Sequence, residues 1–286
     1  DWDREISTCS EDYYKHQQRF FLELLEKKLV YRKENYVNWD PVDKTVLANE
    51  QVIEGNCERC DSVVSQKNLN QWFLKISQYS EELLQGLDEI GDWPENVKLM
   101  QKNWIGKSEG AQFNIKFAEH DLSFEVFTTR ADTLFGMTFA VISPEHELID
   151  EIQKLSKNKD EIKEYIKKAK SKSEFERMSI TKEKTGIDTY LKVINPINNE
   201  EVPLWIADYV LINYGTGAIM AGPAHDQRDY DFAKKYNLEI RQVIQNPETM
   251  IGVDQEAYTE EGELINSKEF DGIKSHSEGN KKVIEY

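Results

Sequence analysis

The chain has 286 residues, with 36 Lys and Arg against 53 Asp and Glu and a formal net charge of −17. So acidic a balance excludes a protein that coats nucleic acid by bulk charge, because counterion release needs Lys and Arg; a local basic patch stays possible. Hydrophobic residues make up 39%, with 6 Trp, 13 Tyr and 12 Phe, enough apolar material for one large or two modest domains and too much for wholesale disorder.

In chain order, Glu11 to Val30 carries Tyr14, Phe20, Phe21, Leu24, Leu25 and Leu29 at helical spacing, with Ser10 placed as N-cap. Val30–Trp39 reads as a strand ending at the Asp40-Pro41 turn, and Val52–Gln66 as a hairpin or knuckle holding Cys57-x-x-Cys60. A closed zinc site needs four ligands; no second CxxC or nearby His pair supplies the rest, so no metal is expected. With Cys9 as the one other cysteine there is no disulfide framework, and a reducing compartment is the economical reading. Gln71–Ile90 reads as an amphipathic helix stopped by Gly91, and Pro94 opens a third helix to Ile105.

Character changes near Gly106, which sets a connective region over 1–105 and a second domain over 106–286. Ala111–Phe117 and Leu122–Phe127 alternate as paired strands, followed by a short strand at Phe139–Ile142. His146–Lys172 is helical and rich in Lys interleaved with acids, which reads as a solvated helix pair, with a phosphate-binding face as the alternative. Strands follow at Tyr190–Ile194, Val202–Ile206 and Ala218–Ala221, then a helix at Gln227–Tyr236, a strand at Ile240–Ile244 and a polar, acidic tail from Asn246. The order predicts an α+β fold with a mixed or antiparallel sheet rather than a doubly wound one. No apolar run approaches a bilayer span, there is no signal peptide, and a start at Asp1 reads as a piece of a longer chain.

Two clusters carry chemistry. Thr128-Thr129-Arg130-Ala131-Asp132-Thr133 packs three hydroxyls, a guanidinium and a carboxylate into six residues after a strand; such groups bind a carbonyl, a ribose or a water, although Thr129 and Asp132 are also spaced as a capping box. Tyr214 to Asp229 joins small residues, which allow close backbone approach, to His225 and two carboxylates; Asp226 and Asp229 are spaced as N-cap and N3 of a helix. The segment lacks the Lys-Ser/Thr of a P-loop and the third Gly of a dinucleotide fold, and the chain has neither GxSxG nor HExxH.

The runs TTRADTLFG (Thr128–Gly136) and NYGTGAIMAGPAHDQRDYDFA (Asn213–Ala233) closely resemble the threonine-rich and aspartate-bearing motifs of the leucyl-tRNA synthetase editing domain, of bacterial or organellar type. The flanks at Val37–Gly55, Gln71–Ile76, Asn103–Gly110 and Leu204–Leu211 agree, so the resemblance covers nearly the whole chain. It implies a β-barrel-like editing domain with surrounding helices, preceded by a helical connective region. It also implies hydrolysis of the ester in tRNA-Leu mischarged with norvaline, isoleucine or methionine, in the cytoplasm or an organelle. By the resemblance, Asp229 anchors the substrate α-ammonium, and Thr128, Thr129 and Arg130 hold the carbonyl, ribose and attacking water. Thr133 crowds the leucine γ-branch, while Met220, Tyr214, His225, Asp226 and Gly222 line the amino-acid and adenosine pocket. The implied partners are the 3′ end of tRNA-Leu and the remaining synthetase domains, with no membrane and a monomeric state. There is no HIGH-like or KMSKS-like signature, and Arg177-Met178-Ser179-Ile180 is not one; ATP and Mg belong to the parent's synthetic site, and editing needs no cofactor. A non-catalytic module binding the tRNA end or another domain is the alternative. Three departures stand out: Gly222 replaces the usual Val, which implies a larger adenosine side; Ala131 replaces a common Pro, which implies a looser loop; and the CxxC is half of the zinc knuckle some members carry.

Overall fold

Alternation, not helical spacing, governs the longest ladder in the first part of the chain. In the computed structural model, which describes residues 2–53, 55–170, 177, 183–212, 215–249 and 252–286, β1 (Val30–Asp40) pairs antiparallel with β2 (Thr45–Leu47) on one side and with a second long strand on the other. Between them, β3 (Val52–Ile53) and β4 (Asn56–Cys57) form the expected small hairpin. The long partner, β5 (Ser65–Leu74), takes up Gln71–Leu74, which corrects the helix expected over Gln71–Ile90. Leu69, Gln71 and Phe73 are half-buried on one face while Trp72 is exposed, a period of two. The helix starts only at α2 (Ser80–Glu89), so this region is a three-stranded sheet with helices rather than a helical connector. Ahead of the sheet runs α1 (Glu11–Glu26), with Ser10 in extended cap conformation. α3 (Glu95–Ile105) follows Pro94, which stands at the N-cap, and ends on Gly106 in the left-handed region, φ 61°.

The chain divides into two units, Asp1–Lys107 and Ser108–Tyr286. In the second, β6 (Ala111–Phe117), β7 (Ser123–Thr128), β8 (Phe139–Ile142), β9 (Gly186–Ile194), β10 (Glu201–Ala207) and β11 (Ala218–Ala221) form one sheet in the order β11-β8-β10-β9-β6-β7. Only β8 and β10 run parallel. Among the described residues no ladder joins β11 to β7, so the sheet is mixed and its hydrogen bonds do not close it into a barrel, although these two edge strands pack against each other. Its central strands are buried on both faces. Ala140, Ile142, Leu204 and Ile206 face α4 (Ile149–Leu155) and α5 (Lys159–Lys170), whose Ile152, Ile162 and Ile166 cover them while the lysines point outward. Phe139, Val141 and Trp205 face the opposite way, onto Phe232 of α6 (Gln227–Tyr236), with Phe139 stacked on Phe232 at 5.6 Å.

The polar tail is not a loose end. The strand expected at Ile240–Ile244 shrinks to β12 (Ile244–Gln245), paired with β13 (Glu263–Leu264). With α7 (Ser277–Glu285) these residues build a third core, in which Leu264, Phe270 and Val283 pack on Ala131, Leu134 and Phe135. Three apolar side chains spread over twenty residues give no periodicity to read. Among the described residues no helix is long and apolar enough to cross a membrane.

Candidate functional site

The threonine cluster leaves the end of β7 as a closed knot. Arg130 N–H donates to Thr128 Oγ1 at 3.0 Å, and Thr133 Oγ1 donates to the Arg130 carbonyl at 2.8 Å. The Arg130 guanidinium grips both oxygens of Asp132, at 3.0 and 3.2 Å, and the Asp132 side chain is closed to solvent. These bonds take the chain into a 3-10 turn, Ala131–Gly136, which Arg130 caps with its backbone; the capping box between Thr129 and Asp132 does not form. These bonds hold the loop, and Ala131 itself is buried within it.

The second cluster divides its carboxylates by position. Asp226 is the N-cap of α6, accepting from Arg228 N at 2.8 Å and Asp229 N at 3.2 Å, and it pairs with the Arg228 guanidinium at 2.9 Å. With the cap satisfied, Asp229 at N3 turns inward. It accepts from Tyr209 Oη at 2.9 Å and from Gly222 N at 3.1 Å and is only 4% exposed. Burial, with the charge on Asp226, pushes its carboxyl up to about 7. Among the described residues it has no ion pair: it is a buried acid with two hydrogen bonds, and the Arg228 guanidinium acts on it only through space.

Gly222 joins the two clusters. A Cβ built there would stand 3.5 Å from Thr133 Oγ1, so the missing side chain would face Thr133. Met220 lies two residues earlier on β11, half-buried between the first and third cores. Both ring nitrogens of His225 are engaged by the backbone. Its Nε2 accepts from Val243 N at 3.0 Å and Ile244 N at 3.1 Å, which puts the proton on Nδ1, 2.8 Å from the Tyr258 carbonyl. Burial pushes its pKa down to about 4, so the ring stays neutral and ties 243–258 to the site. Tyr214 lies outside the described residues.

Sequence reasoning missed three contributors. Tyr209 follows β10 inside the Leu204–Leu211 run, where only the hydrophobic pattern was informative. Asn280 of α7 bonds Thr129 O and Asp132 N from 151 and 148 residues downstream, and no local signal marks it. In the first unit, Asp40 and Asp43 come to the CxxC: one ligand atom from each of Asp40, Asp43, Cys57 and Cys60 lies within 4.8 Å of the others. Two thiols and two carboxylates have the number and donor type for a zinc-class cation. The same groups also bond one another: Asp40 accepts from Cys60 Sγ at 3.1 Å and from Ser62 Oγ at 2.9 Å, and the Cys57 and Cys60 thiols hold the Asp40 carboxyl well below the usual carboxylate range.

Comparison with known proteins follows this division. A family model described as "Leucyl-tRNA synthetase, editing domain" matches residues 102–286, and one described as "tRNA synthetases class I (I, L, M and V)" matches 1–113. The leucine–tRNA ligase of Clostridium tetani is 56% identical over 284 residues, covering 99% of this chain and 34% of the relative. That of Thermosipho melanesiensis is 50% identical over 288 residues, covering 100% and 35%. The chain therefore spans about a third of the length of the curated relatives it matches. The Agrobacterium radiobacter K84 agnB2 LeuRS–tRNA–LeuAMS ternary complex is similar over 82% of this chain and 29% of that one, at 42% identity and a TM-score of 0.65.

Proposed function

Since the chain belongs to the leucyl-tRNA synthetase editing-domain family, we propose that its second unit hydrolyses the ester between tRNA-Leu and a wrong amino acid such as norvaline, isoleucine or methionine. The observation that carries this reading is Asp229: a buried acid with no ion pair among the described residues, bonded to the backbone of Gly222, whose missing side chain would face Thr133. The α-ammonium of an aminoacyl ester is the cation that fits. Its charge favours ionised Asp229, and Tyr209 and Gly222 N–H aim the carboxylate.

An aminoacyl ester is already activated, so orientation and stabilisation of the oxyanion suffice without a covalent intermediate or a cofactor. Thr128, Thr129 and Arg130 hold the carbonyl, the ribose and the attacking water. As water adds to the carbonyl carbon, the developing oxyanion meets the donors of the threonine loop; the ester C–O bond then breaks and the ribose oxygen leaves with a proton. Thr133 excludes the γ-branch of leucine, and Met220 and Tyr214 complete the side-chain wall. A second sieve of this kind is needed because one methylene is worth only about 1–3 kcal/mol to a synthetic site. His225, Asp226 and Gly222 line the adenosine side of the pocket, with Asp226 also capping its helix and His225 held by the backbone of Val243, Ile244 and Tyr258. The partners are the tRNA 3′ end and the other domains of the parent synthetase. Exposed Trp2, Phe20 and Trp104 of the first unit are apolar surface of the kind such domains cover. ATP and Mg serve the parent's synthetic reaction.

The test uses the full chain with tRNA-Leu charged with norvaline or leucine. Asp229→Ala is expected to lose norvaline clearance by about 30-fold or more, the cost of removing one partner of a buried charge pair. Thr133→Ala is expected to begin cleaving leucine. Normal deacylation by Asp229→Ala would refute the ammonium anchor, and binding of uncharged tRNA with no hydrolysis would leave a binding module.

A further inference from the structure

The backbone of the threonine loop is pinned from a distant part of the chain. Asn280 Nδ2 donates to the Thr129 carbonyl at 2.9 Å, and its Oδ1 accepts from Asp132 N–H at 3.0 Å. At the start of the same helix, His276 N–H donates to Asp132 Oδ2 at 2.8 Å. Gly279 permits the approach: a Cβ there would lie 3.3 Å from Asp132 Cβ and 3.1 Å from the Lys274 carbonyl. Val283, in the third core, fixes the helix that presents the amide.

The two groups Asn280 bridges bracket Arg130 and Ala131. Water could satisfy each, but separately; a planar carboxamide satisfies both at one fixed spacing. That spacing matters because the hydroxyls of Thr128 and Thr133 both bond to the backbone of Arg130. A shift between Thr129 and Asp132 would carry both hydroxyls with it. Asp229 is held by Tyr209 and Gly222, so the ammonium anchor does not depend on this bridge.

We propose that Asn280 is a positioning residue for ester hydrolysis, holding the threonine loop so that its oxyanion and water contacts, and the leucine-excluding Thr133, stay in register. This rests on the hydrolase reading of the site. Asn280 touches no substrate; its loss is felt in kcat and in discrimination against leucine, and little in KM.

The experiment compares the full chain with Asn280→Ala, Asn280→Asp and, as a control at the neighbouring exposed position, Lys281→Ala. For each, thermal melting, amide exchange at Asp132, and kcat and KM on norvaline- and leucine-charged tRNA-Leu are measured. Asn280→Ala is expected to lower kcat on the norvaline ester by ~10–100-fold, the cost of a misplaced catalytic group, with KM nearly unchanged. Its Asp132 amide exchanges faster, and its preference for norvaline over leucine narrows. Asn280→Asp keeps the acceptor for Asp132 N–H but sets a carboxylate oxygen against the Thr129 carbonyl, so it falls between wild type and Asn280→Ala. Lys281→Ala is unchanged. A folded Asn280→Ala with wild-type kcat and discrimination would overturn the proposal, as would failure of both Asn280 variants to fold, which would make the residue purely structural. A wild-type chain inert on every charged tRNA would instead sink the hydrolase reading. Faster Asp132 exchange in Asn280→Ala would then still uphold the bridge, and unchanged exchange would overturn it.

Discussion

A carboxyl group taken out of water and set near a second carboxylate resists ionisation, and Asp229 is such a group, pushed up to about 7 against about 3.9 for an unfolded Asp. The folded chain therefore holds this proton more tightly than the unfolded one. The cost of the ionised form is absent below pH ~4, grows as pH rises toward 7, and is fully present above it. Asp229→Asn removes that cost and keeps both hydrogen bonds, its amide oxygen accepting from Gly222 N–H and its NH2 donating to Tyr209 Oη. The variant is expected to be more stable by about 1–4 kcal/mol above pH 7, with no gain below pH ~4, and to be inactive. Melting curves of both proteins across pH 4–8 check the sign. The N-cap and N3 positions of Asp226 and Asp229 were legible in the sequence because their spacing is that of a helix start. The role of His225 was not, because its ring partners, Val243, Ile244 and Tyr258, lie 18 to 33 residues further on.

His225 also sets how one element answers to acid. A histidine with a pKa pushed down to about 4 is neutral in the fold and charged in the unfolded chain below about 6.5. The stability it lends is complete above pH ~6.5 and is lost as pH falls toward 4, when a proton on Nε2 meets the amides of Val243 and Ile244. Amide exchange at those two residues, corrected for the intrinsic rate, is expected to accelerate between pH 6 and 4 ahead of that in β8; uniform acceleration would count against the tether. At this scale the sequence was readable where one periodicity stood alone, as in β6, β8, β11 and α6. It failed at β5, where Trp72, Phe73 and Ile76 suit a helical face as well as a strand. The Ile240–Ile244 run failed for another reason: its hydrogen bonds go to His225 and one short partner instead of a full ladder.

The two units are unequal in what they bury. Among the described residues of the first, the buried hydrophobics are Val30, Leu47, Cys57 and Leu87, whereas three apolar clusters fill the second. Since stability follows buried apolar area, calorimetry on the full chain is expected to show two transitions, the first unit melting first. Deacylation assayed after heating between them and holding there is expected to persist; a single transition that takes the activity with it would contradict this. The acidic balance and the mixed α+β class were readable from composition and order at this scale. The missing ladder between β7 and β11 was not, because no local pattern encodes which edge strands share hydrogen bonds. The Asn280 bridge adds a timetable. Thr129 and Asp132 are made 151 and 148 residues before the amide that spans them. At ribosomal speeds of roughly 5–20 residues per second, the loop waits about 7–30 s for its clasp, plus the time Asn280 needs to clear the exit tunnel. A nascent chain therefore carries this loop without its clasp until Asn280 has been made.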